Sequence, residues 1–205
     1  MAKNFEIELR GPLSSDAFNR LNDFLSKNGV LKEKRNRILI DYSTFLPDQG
    51  IKERTKDIRL RVTNKKPEII IKVGNWGGSD HREELSVFAE EGSFDTLVKS
   101  FHVLGYSKGV LCVRNSSIYT YKDIEFAVVE VPGHSYYFEA EKIVNSEPEK
   151  EEALHDIHAV CAELGLHFFD DANFFTYIET LNKEANEIFD FKNYTEGYFK
   201  ARFDL

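Results

Sequence analysis

Stretches in which apolar and charged residues alternate recur along most of the chain, and this pattern is typical of β-strands. In residues 5–10 the apolar side chains occupy the odd positions, and Glu6, Glu8 and Arg10 occupy the even positions. Because side chains alternate between the two faces of a strand, each set would share one face. The same alternation predicts further strands at about residues 37–45, 57–63, 68–74, 82–88, 111–121, 124–131 and 136–144.

Apolar residues at helical spacing predict a few helices between and after the strands. The first strand is expected to end at Gly11-Pro12, after which Ser14 or Ser15 would cap the first helix. The predicted helices cover about residues 13–28, 94–104 and 150–164, with a further helical pattern around Phe174–Leu181. Residues 190–205 are aromatic and mixed in charge, and they predict no definite element.

This order of elements favours an α+β fold built on an eight-stranded antiparallel β-barrel, or a strongly curved sheet. The predicted helices carry apolar stripes that need a partner. If the apolar faces of the strands point outward, the helices cover them and the charged side chains line the lumen. Burying many charges is costly unless they are paired or coordinated, so such a lumen needs water, cross-barrel ion pairs and a charged ligand.

Composition limits the classes of protein that the chain can represent. A chain of 205 residues with a net charge of −8 fits one domain and is not typical of a general nucleic-acid binder. Cys112 and Cys161 form no metal-binding spacing and fit a reducing compartment. Neither a signal-peptide pattern nor an apolar run of roughly 20 residues is found, so a cytoplasmic protein that does not span the membrane is expected.

The charges are sorted between the predicted strands. The carboxylate pairs Glu6/Glu8 and Glu139/Glu141 lie in the first and last strands, whereas the strands between them carry alternating cations. Carboxylate oxygens suit hard divalent cations, and guanidinium groups suit phosphate oxygens. The layout therefore predicts a site for metal ions and a polyanion.

Glu6-x-Glu8-x-Arg10 resembles the ExExK signature of the CYTH superfamily, the triphosphate tunnel metalloenzymes. Such alternation is common on its own, and the resemblance is carried by an ordered set of motifs over about residues 3–182. The further members of the set are Arg59-x-Arg61, Lys72, Arg82-Glu83-Glu84, Arg114, Gly133 with Phe138-Glu139-Ala140-Glu141, and Phe175–Leu181, which loosely resembles the family's SYxxLL helix. The resemblance implies a tunnel domain over residues 1–182 and leaves residues 183–205 as a C-terminal extension of unknown role.

The resemblance also implies that the tunnel binds a triphosphate through Mg²⁺ or Mn²⁺. The metal ligands expected from it are Glu6, Glu8, Glu139 and Glu141. The expected substrate-binding residues are Arg10, Arg59, Arg61, Lys72, Arg82 and Arg114, and the expected catalytic residues are Glu6, Glu8, Arg10 and Glu84. Arg35 and Arg37, which precede the second predicted strand, are lower-ranked candidates.

Three positions depart from the family pattern. Val129 stands where the family often has an aspartate, and Glu130 beside it is expected on the other face of the strand. Phe174 and its neighbours stand where a basic residue often precedes the SYxxLL helix, and Arg10 replaces the usual lysine. These departures bear on catalytic rate and substrate preference more than on phosphate binding.

Three functions remain open for such a site. The favoured one is hydrolysis of tripolyphosphate, thiamine triphosphate or a nucleoside triphosphate by attack of water on the terminal phosphorus. The alternative is a class IV adenylyl cyclase, although the H-F-x-G-x-Y type of lead before ExExK is not present. The third is a non-catalytic protein that binds a triphosphate or polyphosphate. The expected partner is a small-molecule triphosphate, and a homodimer is conceivable.

Overall fold

The computed structural model describes residues 5–47, 54–74, 79–80 and 83–205. The strands are β1 (Phe5–Leu13), β2 (Val30–Asp41), β3 (Lys56–Thr63), β4 (Lys66–Val73), β5 (Ser79–Asp80), β6 (Glu83–Phe88), β7 (Lys108–Tyr121), β8 (Ile124–Val131), β9 (Ser135–Val144) and β10 (Glu187–Asp190). The helices are α1 (Ser15–Asn28), α2 (Phe94–Val103), α3 (Glu149–Glu163), α4 (Asp171–Glu184) and α5 (Tyr198–Phe203).

All the strands belong to one antiparallel sheet in the order β5-β1-β9-β8-β7-β2-β3-β4-β6, and β10 pairs with β7 beside this path. The two strands at the ends of this order, β5 and β6, are separated in the chain only by residues 81–82. The sheet therefore curls round until its two ends lie close together. The predicted α+β fold, a barrel-like antiparallel sheet with helices outside, is confirmed.

Helices α1 and α3 cover the outer face of β1, β8 and β9. Ile7, Phe126 and Phe138 from the sheet pack with Leu25 of α1 and Ile157 of α3, and each of the five is at most 1% exposed. Burial of this apolar surface stabilises the fold by about 25 cal/mol per Å². None of the helices in the described ranges is long and apolar enough to cross a membrane.

A second core lies on the outer face of β2 and β3, under α2 and the C-terminal segment. Ile40 and Leu60 from the sheet pack with Phe94 and Val98 of α2 and with Phe199 of α5. The two cores cover the outer face of the sheet in two regions, and the charged side chains of the strands lie on the concave face. This arrangement confirms the prediction that the apolar faces point outward.

The C-terminal segment is built into the sheet and the second core. Strand β10 pairs with the first residues of β7, and Phe199 is fully buried. Asp95 of α2 accepts hydrogen bonds from the Tyr194 hydroxyl (2.8 Å) and from the backbone N–H groups of Phe199 (3.3 Å) and Lys200 (3.0 Å). Residues that the sequence left unassigned thus hold α2 against the sheet.

The predicted end of the first strand at Gly11-Pro12 is wrong, because β1 continues through both residues to Leu13. A Cβ atom at residue 11 would lie 1.9 Å from the carbonyl oxygen of His167 and 2.5 Å from the ring of Phe138. Glycine is therefore required here by the close approach of the segment that leads into α4. It permits that approach and does not end the strand.

The predicted bounds of the second strand, residues 37–45, are also wrong. Strand β2 begins at Val30, pairs with β7 over most of its length and ends at Asp41, before a 3₁₀ turn at Ser43–Phe45. Its first half carries polar residues on both faces, so the apolar alternation that marks a strand is missing there. The extra residues bring Arg35 into the sheet beside Arg37.

Candidate functional site

The concave face of the sheet encloses a cavity of about 460 Å³ lined by charged side chains from eight strands and by one helical segment. Of the residues predicted from sequence, it is lined by Glu6, Glu8, Arg10, Arg59, Arg61, Lys72, Glu84, Arg114, Glu139 and Glu141. Arg82, which was also predicted to bind substrate, lies outside the described residues. The antiparallel pairing thus gathers distant parts of the sequence around one space.

Carboxylates form one side of this cavity. In the register of the sheet Glu8 is opposite Glu141, and Glu141 is opposite Glu125 on its other side. Burial, followed by repulsion from Glu6, Glu125 and Glu139, raises the pKa of Glu141 to about 8. Full ionisation of this cluster is therefore unfavourable without a cation, and a bound cation would relieve the repulsion.

Arg10 compensates two of these carboxylates directly. Its Nη2 lies 2.5 Å from an oxygen of Glu8, and its Nε lies 3.3 Å from an oxygen of Glu139. Its guanidinium also stacks over Phe174, 5.4 Å from the ring centre. Burial raises the pKa of Glu8 well above its usual range, and Arg10 opposes that rise.

Within the described part of the chain, no three His, Cys, Asp or Glu side chains converge as a ready-made metal centre. The carboxylate cluster nonetheless offers the oxygen donors that hard divalent cations prefer. Mg²⁺ in particular usually keeps several water ligands and shares the phosphate oxygens of its substrate, so it needs few protein ligands. The chemistry of this donor set fits such an ion.

Two of the predicted phosphate-binding cations are held in ion pairs. The ammonium of Lys72 lies 2.9 Å from Glu84, and Arg61 lies 2.7 Å from Glu68. Although burial opposes ionisation of Glu84, Lys72 keeps the pKa of Glu84 below its usual range. Both cations therefore sit at the cavity with a carboxylate already beside them.

Arg59 belongs to a buried network at another end of the cavity. Its Nη2 lies 2.6 Å from Asp57, which is fully buried, and Arg54 bridges Asp57 (2.9 Å) to Asp41 (2.7 Å). Burial opposes the charge of Arg59, but these two aspartates hold its pKa above its ordinary value. The Nε of Arg59 is buried and has no hydrogen-bond partner among the described residues.

Arg37 and Arg114 are opposite each other on β2 and β7, and both line the cavity. Neither forms an ion pair with any described residue: Arg37 donates to the hydroxyl of Thr63 (3.2 Å), and Arg114 to neutral oxygens. Burial, followed by repulsion from Arg61, lowers the pKa of Arg37 to about 10. These two guanidinium groups form the part of the site that most needs an anion.

Sequence reasoning ranked Arg37 low and did not consider Glu125. Arg37 shares its parity with Asp41, and both residues lie on the concave face of β2. Glu125 shares its parity with Val129, which the structure places on the concave face, and both line the cavity. Glu130 lies on the opposite face, as expected, and accepts a hydrogen bond from Asn115 (3.1 Å).

The remaining side of the cavity is a segment that we call the helical wall. It consists of Phe169, Phe174, Tyr177, Ile178, Leu181, Asn182 and Asn186. The N–H of Phe169 donates to the carbonyl of Arg10 (2.9 Å), Asp170 caps α4 by accepting from the N–H of Asn173 (2.7 Å), and the hydroxyls of Tyr177 and Ser135 lie 2.9 Å apart. Every side chain of the wall is uncharged.

No family model matches this sequence, and none of the curated proteins searched matches it. Solved structures do match. PH1819 from Pyrococcus horikoshii OT3 has a TM-score of 0.64 at 22% identity, over 87% of this chain and 99% of that chain. A Vibrio parahaemolyticus protein described as a candidate adenylate cyclase has a TM-score of 0.57 at 16% identity, over 82% and 91% of the two chains.

HpAC1 from Hippeastrum, described as having a dominant triphosphatase activity, has a TM-score of 0.56 at 17% identity. The match covers 82% of this chain and 90% of that chain. At these identities the likeness establishes the architecture and not the chemistry. The chain has the fold of these proteins.

Proposed function

We propose that this protein is a divalent-metal-dependent triphosphatase whose substrate binds in the charged cavity. The observation that carries the proposal is that Arg37 and Arg114 have no ion-pair partner among the described residues and line a cavity that also holds a carboxylate cluster. Cations without counterions are costly to enclose, and phosphate oxygens accept from guanidinium groups in a bidentate manner. A polyphosphate chain between the cations and the carboxylates would complete the charge balance of the site.

The other cations would extend this binding surface along the chain of phosphates. Arg59 lines the cavity, where its guanidinium is paired with Asp57. Lys72 and Arg61 can contact phosphate while their carboxylate partners keep them oriented. Together these groups would stabilise the negative charge that develops on phosphoryl oxygens during transfer, which is the main catalytic contribution of such sites.

The residues suited to hold Mg²⁺ or Mn²⁺ are Glu6, Glu8, Glu139 and Glu141. A bound ion would polarise the phosphoryl oxygens and lower the pKa of a water molecule that attacks the terminal phosphorus. Arg10 holds Glu8 and Glu139 in position. When a metal ion binds these carboxylates, the Arg10 guanidinium would be able to pair with the phosphate groups of the substrate instead. Glu84 would act through Lys72, whose ammonium it orients.

A class IV adenylyl cyclase is the second candidate, favoured by one specific feature. The uncharged aromatic helical wall offers a surface on which an adenine ring could stack, with Tyr177 half-exposed at its centre. The same metal and cation arrangement would then serve attack by the ATP 3′-hydroxyl on the α-phosphorus. The triphosphatase activity described for HpAC1 agrees with hydrolysis as the first choice.

Product identification separates these candidates. The protein would be incubated with tripolyphosphate, thiamine triphosphate or ATP, each with Mg²⁺ or Mn²⁺, and orthophosphate, pyrophosphate and cyclic AMP would be measured separately. Orthophosphate release that stops when the metal is chelated supports the triphosphatase. Cyclic AMP formed with equal pyrophosphate supports the cyclase, and binding without any product supports a non-catalytic triphosphate-binding protein.

A further inference from the structure

Among the described residues, Arg114 is hydrogen-bonded to neutral groups only. Its Nη1 donates to the carbonyl oxygen of Val113 (2.7 Å), and its Nη2 donates to the side-chain oxygen of Asn186 (3.0 Å). Arg61 and Lys72, by contrast, each have a carboxylate partner. Arg114 is thus fixed in direction without an ion pair to any described carboxylate.

The side chain of Asn186 is itself oriented. Its Nδ2 donates to the side-chain oxygen of Asn182, one turn earlier, at 2.8 Å. An amide has one oxygen and one NH₂ group, so this donation leaves its oxygen facing Arg114. Both asparagines line the cavity and are half-buried, which makes the two amides part of the site.

The backbone of Asn186 is also fixed. It lies between the end of α4 and the start of β10, and its N–H donates to the carbonyl of Leu181 (2.7 Å). The next residue, Glu187, is opposite Leu111 in the pairing of β10 with β7, the strand that carries Arg114. The contact between the two side chains is therefore set by the way the C-terminal segment joins the sheet.

We propose that Asn186, oriented by Asn182, is a positioning residue that aims Arg114 at the triphosphate without neutralising it. The inference rests on the proposed function, because it assigns phosphate binding to Arg114. A carboxylate at position 186 would accept the same hydrogen bond but would compete with phosphate for the guanidinium. The amide pair therefore explains how the cavity keeps one well-ordered cation available for its substrate.

The Asn186→Asp variant tests this, since it changes the charge and hardly changes the shape. With tripolyphosphate and Mg²⁺ or Mn²⁺, we expect KM, and the dissociation constant measured by calorimetry, to rise about tenfold or more, as expected for loss of a charge-assisted contact. The maximal rate should change much less, and the melting temperature should stay the same or rise because an ion pair replaces a neutral hydrogen bond. A merely structural role for Asn186 would instead lower the melting temperature and leave KM unaltered.

Asn19→Asp is the matched control, because Asn19 is exposed on α1 at the outer surface and carries the same change of charge. In an Arg114→Gln background the Asn186→Asp change should have little further effect on KM, since the two changes act on one interaction. Equal KM values for Asn186→Asp and Asn19→Asp would overturn the inference. If the unaltered protein neither binds nor hydrolyses tripolyphosphate, the proposed function itself fails. This result differs from equal KM values in the two variants, which would overturn only the role of Asn186.

Discussion

The guanidinium groups of Arg37 and Arg114 face the same cavity from directly opposed positions on two neighbouring strands, and neither is paired with a carboxylate of the described chain. A stable fold normally avoids enclosing cations that lack a carboxylate partner, because burial of an uncompensated charge is costly. The exception here points to a ligand that supplies the missing negative charge. This pair is the strongest reason to regard the cavity as a polyphosphate site.

Arg37→Gln should weaken substrate binding while leaving the fold intact. Removing one charge-assisted contact costs about 1.5–3 kcal/mol, so KM for tripolyphosphate should rise about 10- to 100-fold. The melting temperature should stay unchanged or increase, because the substitution removes a buried charge and its repulsion from Arg61 and Arg35. Arg20→Gln, on the exposed side of α1, is the control for loss of one positive charge. A KM equal to that of the control would contradict a role for Arg37 in binding.

The metal-free protein should lose stability as the pH rises from 4.5 to about 8. Glu141 has its pKa raised from 4.5 to about 8 in the folded state, so the folded state binds a proton more tightly than the unfolded state. Between these two values stability falls as the pH increases, and above the folded pKa it levels off. Glu8, whose pKa is also raised, acts in the same direction.

Thermal unfolding in the presence of a chelator measures this dependence. Glu141→Gln should flatten it, because the amide cannot ionise, and the variant should gain stability mainly at the higher pH. Two results would contradict mutual repulsion of these carboxylates. One is a melting temperature that increases with pH over this range, and the other is a pH dependence in the variant that equals that of the unaltered protein.

Metal and triphosphate together should stabilise the folded protein more than either does alone. A ligand at 100 times its dissociation constant adds about 2.7 kcal/mol to the free energy of unfolding. The gain should require the carboxylate cluster, so Glu6→Gln/Glu8→Gln should abolish the synergy between Mg²⁺ and tripolyphosphate. Thermal shift titrations with each component separately and with both provide the measurement. Strictly additive shifts in the unaltered protein would argue against a shared site.

Phe199→Ala should destabilise the protein by about 3–5 kcal/mol, because Phe199 is fully buried in the second core and packs edge-on against Phe94 at 5.0 Å between ring centres. The activity of the fraction that remains folded should be nearly unchanged, since α5 does not line the cavity. Denaturant unfolding gives the free energy, and Phe88→Ala, at a residue that is 71% exposed, is the control. Equal stability of the two variants would mean that the C-terminal segment does not contribute to the core as described.

The alternation of apolar and charged residues was sufficient to predict the architecture. Where helices cover one face of a strand, that face is apolar and the other is charged, so the strand can be recognised from sequence. This pattern failed in the first half of β2, where polar residues occupy both faces and a register shift between Leu31 and Glu33 interrupts the pairing with β7. The alternation also gave no prediction for the segment after α4, because the pairing of β10 with β7 depends on tertiary contacts that local sequence does not encode.

The same distinction holds for the candidate site. Charged residues on regular strands, such as Glu6 and Arg59, could be placed by parity and by resemblance. The contributions of Asn182 and Asn186 could not, because they depend on where α4 crosses the end of the sheet. The metal-binding and catalytic roles assigned to the charged residues, and the role assigned to Arg82, stay predictions.

The most direct test of the account is the rate of orthophosphate release from tripolyphosphate with Mg²⁺ or Mn²⁺, measured for the unaltered protein and for Glu6→Gln/Glu8→Gln. Glu151→Gln/Glu152→Gln, which alters two exposed carboxylates on α3, is the matched control. The account predicts metal-dependent release by the unaltered protein and the control, and its loss in the Glu6/Glu8 variant. Release that is equal in all three proteins would contradict it, as would the absence of release from the unaltered protein.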